Sequence, residues 1–104
     1  GLRVFGNGSG EKPQKVENFV VLRNPKEKAG ERRSSWLKWK QNNLADGYVI
    51  YFGKSPDKLY GSIMVYGKND YYFTGMDAAD TYYFQIEAFN NNGISEKTEI
   101  AKVE

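Results

Sequence analysis

From Asp80 to Ser95 the chain reads DTYYFQIEAFNNNGIS. Tyr82, Phe84, Ile86 and Ala88 fall on one face of an extended segment, and Tyr83, Gln85, Glu87 and Phe89 fall on the other. This is the pattern of a half-buried β-strand, and its Tyr, Phe and Ile suit a pleated surface. The run Asn90 to Gly93 closes it with residues that tolerate positive φ at a turn. The same two-residue period recurs upstream. Val16 to Leu22 reads as a first strand entered after Pro13. Ser35, Leu37 and Trp39 alternate with Trp36, Lys38 and Lys40, so Leu37 and Trp39 face in and Trp36 faces out. Tyr48, Ile50 and Phe52 share one face of a third strand, with Val49 and Tyr51 on the other. Leu59 to Tyr66, with Gly61 as a point of interruption, and Tyr71 to Thr74 supply a fourth and fifth strand around the turn GKND, and Thr98 to Val103 a last one. Residues 24–34, NPKEKAGERRS, carry no helical stripe and read as an extended charged connection. Seven short strands with turn signals every ~8–12 residues predict an all-β, antiparallel sandwich.

Composition narrows the function more than the fold. At 104 residues the chain suits one domain with a single core, too small for a cleft between lobes. It contains no Cys and no His, which removes disulfides, thiolate metal sites and the commonest general base and zinc ligand. No apolar run approaches the roughly 20 residues that would span a bilayer, and the N-terminus lacks the layout of a signal peptide. Beginning at Gly1, the chain reads as a piece of a longer one. GLRVF at 1–5 reads as the last strand of a preceding domain and GNGSGEKP at 6–13 as linker, so the expected division is 1–12 for the end of that domain plus linker and 13–104 for the module.

The charge is uneven: residues 1–40 hold ten Lys/Arg against four Asp/Glu, and residues 41–104 five against nine. Arg23, Lys26, Lys28, Arg32 and Arg33 crowd one stretch. Glu27 and Glu31 interrupt them and no aromatic is interleaved before Trp36, so the stretch reads as a solvated loop or interdomain contact and no nucleic-acid partner is expected.

Four motifs in order resemble the fibronectin type III family over about residues 13–104. They are Trp39 in LKWK, the alternation of Tyr48, Ile50 and Phe52, the spacing of Met76 and Tyr82 before Ala88, and the turn carrying Asn90, Gly93 and Ser95. The resemblance implies a seven-stranded immunoglobulin-like sandwich in which Trp39 fills the core and Tyr82 forms a tyrosine corner, its hydroxyl bonded to upstream backbone. Two departures stand out: the long charged first loop, and Ala78-Ala79-Asp80 where the family commonly has Pro-Gly. The wording of GKSPDKLYGS and the lead-in GLRVFGNGSGEKP are similar to modules of secreted bacterial multimodular glycoside hydrolases, notably family 43 xylosidase- or arabinosidase-like proteins. That likeness implies an extracytoplasmic, non-catalytic spacer or packing domain.

Glycoside hydrolysis needs two carboxylates about 5–9.5 Å apart in a cleft. The thirteen acids here sit mostly in turns, as Asp46, Asp57, Asp70, Asp77 and Asp80 do, so no catalytic residue is expected. Asp77, Asp80 and Asn90 to Asn92 offer oxygens to calcium, but their spacing fits no loop motif and they read as turn caps. No metal or other cofactor is expected. The expected core is Trp39, Tyr48, Ile50, Tyr82, Phe84 and Ile86. The candidate contact surface is Trp36, Tyr51, Tyr83 and Phe89, with Tyr51 near Tyr83 if the third and sixth strands pair. For this surface, packing on neighbouring domains of the same chain is the leading reading, scattered surface aromatics without a partner the second, and binding of polysaccharide or foreign protein the third. No membrane contact is expected, and the isolated module is expected to be a monomer.

Overall fold

A computed structural model describes residues 10–104. The expected strand at 1–5 and residues 6–9 of the expected linker lie outside the described residues. Eight strand segments form: β1 (Val20–Leu22), β2 (Ser35–Lys38), β3 (Gly47–Gly53), β4 (Gly61–Tyr66), β5 (Asp70–Phe73), β6 (Tyr82–Asn90), β7 (Gly93–Ile94) and β8 (Ala101–Val103). They make an antiparallel sandwich of two sheets, β1-β2-β5 and β4-β3-β6-β7, with β8 also on β6. Because β7 and β8 lie along the same side of β6, they are two pieces of one last strand, and the sandwich has the expected seven.

The inner faces follow the two-residue period. In β6, Phe84, Ile86 and Ala88 are fully buried and Tyr82 nearly so, and they lie opposite Phe52, Ile50 and Tyr48 of β3. Across the gap the small sheet contributes Leu37 and Phe73, with Trp39 just beyond β2. Trp39 packs edge-on against Tyr48, with ring centroids 5.2 Å apart, and tilts against Phe19 at 6.4 Å. Phe73 bridges the sheets between Phe52 at 4.8 Å and Phe84 at 5.2 Å. These edge-to-face contacts add specificity to area burial. Gly61 is required by this packing: a Cβ there would stand 2.3 Å from the Phe52 ring.

Both core tyrosines tie loops down. The Tyr82 hydroxyl accepts the Asp77 N–H at 2.7 Å, and the Tyr48 hydroxyl accepts the Asn42 N–H at 2.9 Å. Met76 is 2% exposed and accepts the Ser35 hydroxyl on its sulfur at 3.2 Å.

Three expectations change. The first strand is only Val20–Leu22 instead of 16–22, although Val16 is buried in the core. The connection at 24–34 is not extended: Lys26–Glu31 forms two short 3₁₀ turns kinked at Lys28. Two arginines shape this loop. The Arg23 guanidinium donates to the carbonyls of Arg32, Asp77 and Asp80 at 2.7–3.1 Å. Arg32, buried at 4% exposure, donates to Asn24 O at 2.6 Å and Ala78 O at 3.0 Å. Buried carbonyls must find donors, and here cationic side chains knit the first loop to the turn before β6, where the family's Pro-Gly is missing.

The third change is in the last strand. Phe89 pairs with Ile94, but Phe84 pairs with Ala101 where an unbroken ladder would bring Glu99. Inside this two-residue slip, side chains replace main-chain acceptors. The Ile86 N–H donates to Thr98 Oγ1 at 3.2 Å and the Ala88 N–H to Ser95 Oγ at 2.9 Å. The hydroxyls keep a buried edge of β6 satisfied while the strand bulges.

Trp39→Ala removes the largest inter-sheet side chain and is expected to cost about 3–5 kcal/mol in urea unfolding. Unchanged stability would mean that the inner face is misassigned. Arg23→Met leaves several loop carbonyls without a charged donor and is expected to cost about 1–3 kcal/mol on the same assay.

Candidate functional site

The four outward aromatics proposed from the sequence do not form one surface. Trp36 is on β2 of the small sheet, while Tyr51, Tyr83 and Phe89 are on β3 and β6 of the large one. Within the large sheet, Tyr51 lies directly opposite Gln85, and Tyr83 lies opposite Gly53, diagonally displaced from Tyr51. Phe89 lies opposite Gly47, about 13 Å further along β6 than Gln85 at the usual strand rise. Two separate faces therefore need description.

On the small sheet, one row across the strands is Leu22, Trp36 and Tyr72, and the next is Val20, Lys38 and Asp70. Leu22, Trp36, Tyr72 and Val20 are 53, 44, 59 and 46% exposed, an apolar strip without cover from the described residues. The strip is internally organised. Trp36 meets Tyr72 edge to face at 6.3 Å, its indole Nε1–H donates to Asp70 Oδ2 at 3.1 Å, and the Lys38 ammonium sits 4.7 Å above its ring. The Tyr72 and Ser34 hydroxyls are 2.7 Å apart.

On the large sheet, Tyr51 is bound on two sides. Its hydroxyl donates to Glu87 Oε2 at 2.9 Å, and the Lys97 ammonium lies 4.6 Å over its ring. Glu87, on the outward half of β6, is nevertheless 7% exposed; period alone could not show that neighbouring strands cover it. Burial and the hydrogen bond to Glu87 push the Tyr51 phenol up to about 12. At the far end, Phe89 and Tyr66 meet edge to face at 5.7 Å over Gly47, whose missing Cβ would stand 2.7 Å from the Phe89 ring. Both aromatics thus fill the space a side chain would occupy at Gly47.

The polar candidates separate as well. Asp77 and Asp80 both hold Lys54, at 2.6 and 2.9 Å. The two carboxylates raise the Lys54 ammonium's pKa, and Lys54 in turn lowers that of Asp77. Asn90 to Asn92 lie at the other end of β6, so these oxygens do not converge on one site. Asn90 is buried, and its amide donates to Glu11 O and Leu44 O, both at 2.9 Å, while Asn92 donates to Glu11 O at 3.2 Å. In this turn only Gly93 has positive φ, so Asn90 and Asn92 serve as hydrogen-bonding clasps and not as left-handed residues. Among the described residues, no cluster of three acidic, His or Cys side chains could hold a metal, and no helix is long and apolar enough to cross a membrane.

Solved structures share this architecture. A fibronectin type III domain designated FN3tt superposes with a TM-score of 0.71 at 26% identity, covering 89% of this chain and 94% of that one. A Fn3-like protein from Clostridium thermocellum superposes at 0.69 with 16% identity, covering 93% and 94%. The FN5 domain of Drosophila Lar gives 0.66 at 18% identity, covering 88% and 94%. No protein-family model and no curated protein matches the chain. The fold is that of a fibronectin type III domain.

The Tyr51 contacts have a readable pH signature. A phenol whose pKa rises from 10 to about 12 on folding contributes stability that is complete below pH 10 and is lost as pH climbs through 12. Stability of the native chain should therefore fall over that window, and Tyr51→Phe should flatten the fall. Denaturant melts at pH 9, 10.5 and 12 check it, and identical slopes for both proteins would refute the assignment.

Proposed function

We propose that the chain is a non-catalytic spacer and domain-packing module of a secreted bacterial polysaccharide-degrading enzyme, working outside the cytoplasm. The fold supports an accessory or binding module. The lead-in GLRVFGNGSGEKP and the likeness to a Fn3-like protein of Clostridium thermocellum support the setting.

One observation favours packing over sugar stacking. A sugar binds an aromatic platform by laying its C–H face on an open ring, yet an ammonium covers a face of Trp36 and another covers a face of Tyr51. Phe89 is engaged with Tyr66 over Gly47. Three of the four candidate rings, Trp36, Tyr51 and Phe89, are thus engaged with a neighbour, at an energy typical of surface cation–π or edge contacts. What remains outward is an apolar strip with charged margins, the texture of an inter-domain contact.

The second reading, recognition of glycan or foreign protein, draws on the exposed row Leu22, Trp36 and Tyr72. Titration of the domain with xylan and arabinan, followed by Trp fluorescence, separates the two. The spacer reading expects no saturable change. Saturable binding that Trp36→Ala abolishes would establish the alternative.

A further inference from the structure

Sheet edges expose unpaired N–H and C=O groups, and sandwiches protect them with short strands, charges, proline or bulges. Among the described residues, three of the four sheet edges are protected in this way. β1 has three residues and β5 four, the latter beginning at Asp70. The β7–β8 edge is broken by its bulge and carries Lys97, Glu99 and Lys102.

The fourth edge is different. β4, Gly61–Tyr66, is a six-residue strand at the end of the large sheet, paired on one side with β3. Its sequence GSIMVY has no charge, no proline and no bulge, and its register with β3 is regular throughout. Among the described residues nothing pairs with its far side. Met64 and Tyr66, both 60% exposed, stand on its outer face.

We propose that β4 is a self-association edge whose occupant is the β4 strand of a second copy of this chain, joined antiparallel about a twofold axis at Met64. Side-chain alternation fixes the register. Opposed residues of an antiparallel pair share a face, so centring on Met64 sets Met64 against Met64, Ser62 against Tyr66 and Ile63 against Val65. Outer residues meet outer ones, inner meet inner, and the large Tyr66 falls on the small Ser62. No like charges oppose each other, because the strand has none. A foreign peptide would find no charged group on this edge to steer or orient it, whereas a second copy is complementary along the whole strand. A twofold contact also closes on itself and does not propagate into fibres. An interface of one short strand per partner falls at the small, transient end of protein contacts, so the pairing is weak and dependent on concentration.

Sedimentation velocity over a concentration series up to about 1 mM, the range of weak contacts, tests it. The native chain should shift reversibly from monomer to dimer. Met64→Glu should weaken the apparent dimerisation about tenfold or more by placing carboxylates opposite each other, with unfolding by urea unchanged because the side chain is exposed. Mixing Met64→Glu with Met64→Lys should restore a dimer that neither variant forms alone. The proposal is overturned by a native chain that stays monomeric throughout, by association that survives Met64→Glu, or by failure of the mixed pair to recover.

Discussion

The register of β6 on β3 is the constraint on which the sandwich depends. A slip of one residue would turn Phe84 and Ile86 to water and bring Gln85 and Glu87 into the core, because side chains alternate with a period of two. The pairing Phe52↔Phe84, Ile50↔Ile86, Tyr48↔Ala88 avoids this and also sets the partners of the other sheet. Phe73 reaches both Phe52 and Phe84, and Trp39 reaches Tyr48. The two tyrosine hydroxyls then hold the loops that leave each end of the sandwich. The register thus fixes both the core and the loop positions.

Polar side chains do much of the work that regular ladders leave undone. Arg23 and Arg32 supply donors to the carbonyls of two irregular loops, and Ser95 and Thr98 supply acceptors to a stretch of β6 whose partner strand bulges away. Asn90 and Asn92 clasp residue 11 and the loop before β3. In each case a backbone group outside the regular ladders is paired with a side chain, as the cost of leaving such groups unsatisfied favours. Within the basic stretch at 23–33, Arg23 and Arg32 thus have a structural task.

The outer faces are organised by the same economy of contacts. Cations lie over Trp36 and Tyr51, and Gly47 is covered by Phe89 and Tyr66. Trp36, Tyr51 and Phe89, which looked like free aromatics in the sequence, thereby each have a neighbour within the module, and this shapes the functional reading towards packing and spacing. The unprotected β4 edge adds a second kind of contact, made by main chain instead of rings.

Alternation in 35–39, 48–52 and 82–89 was enough to tell which side chains face inward, because burial on one face imposes a period that sequence displays directly. The seven-strand sandwich and the identity of its inner residues were legible for that reason. Sequence could not show that Arg23 and Arg32 tie the loop at 24–34 to the turn before β6, since the carbonyls they reach there lie 46–57 residues away. Nor could it show that the outward aromatics divide between two sheets, that Glu87 is covered, or that the last strand bulges between Ile94 and Ala101. Those features depend on which strands become neighbours. Local pattern determined the faces of each strand; only the closed sandwich decided which faces, edges and loops meet, because those contacts join residues far apart in the chain.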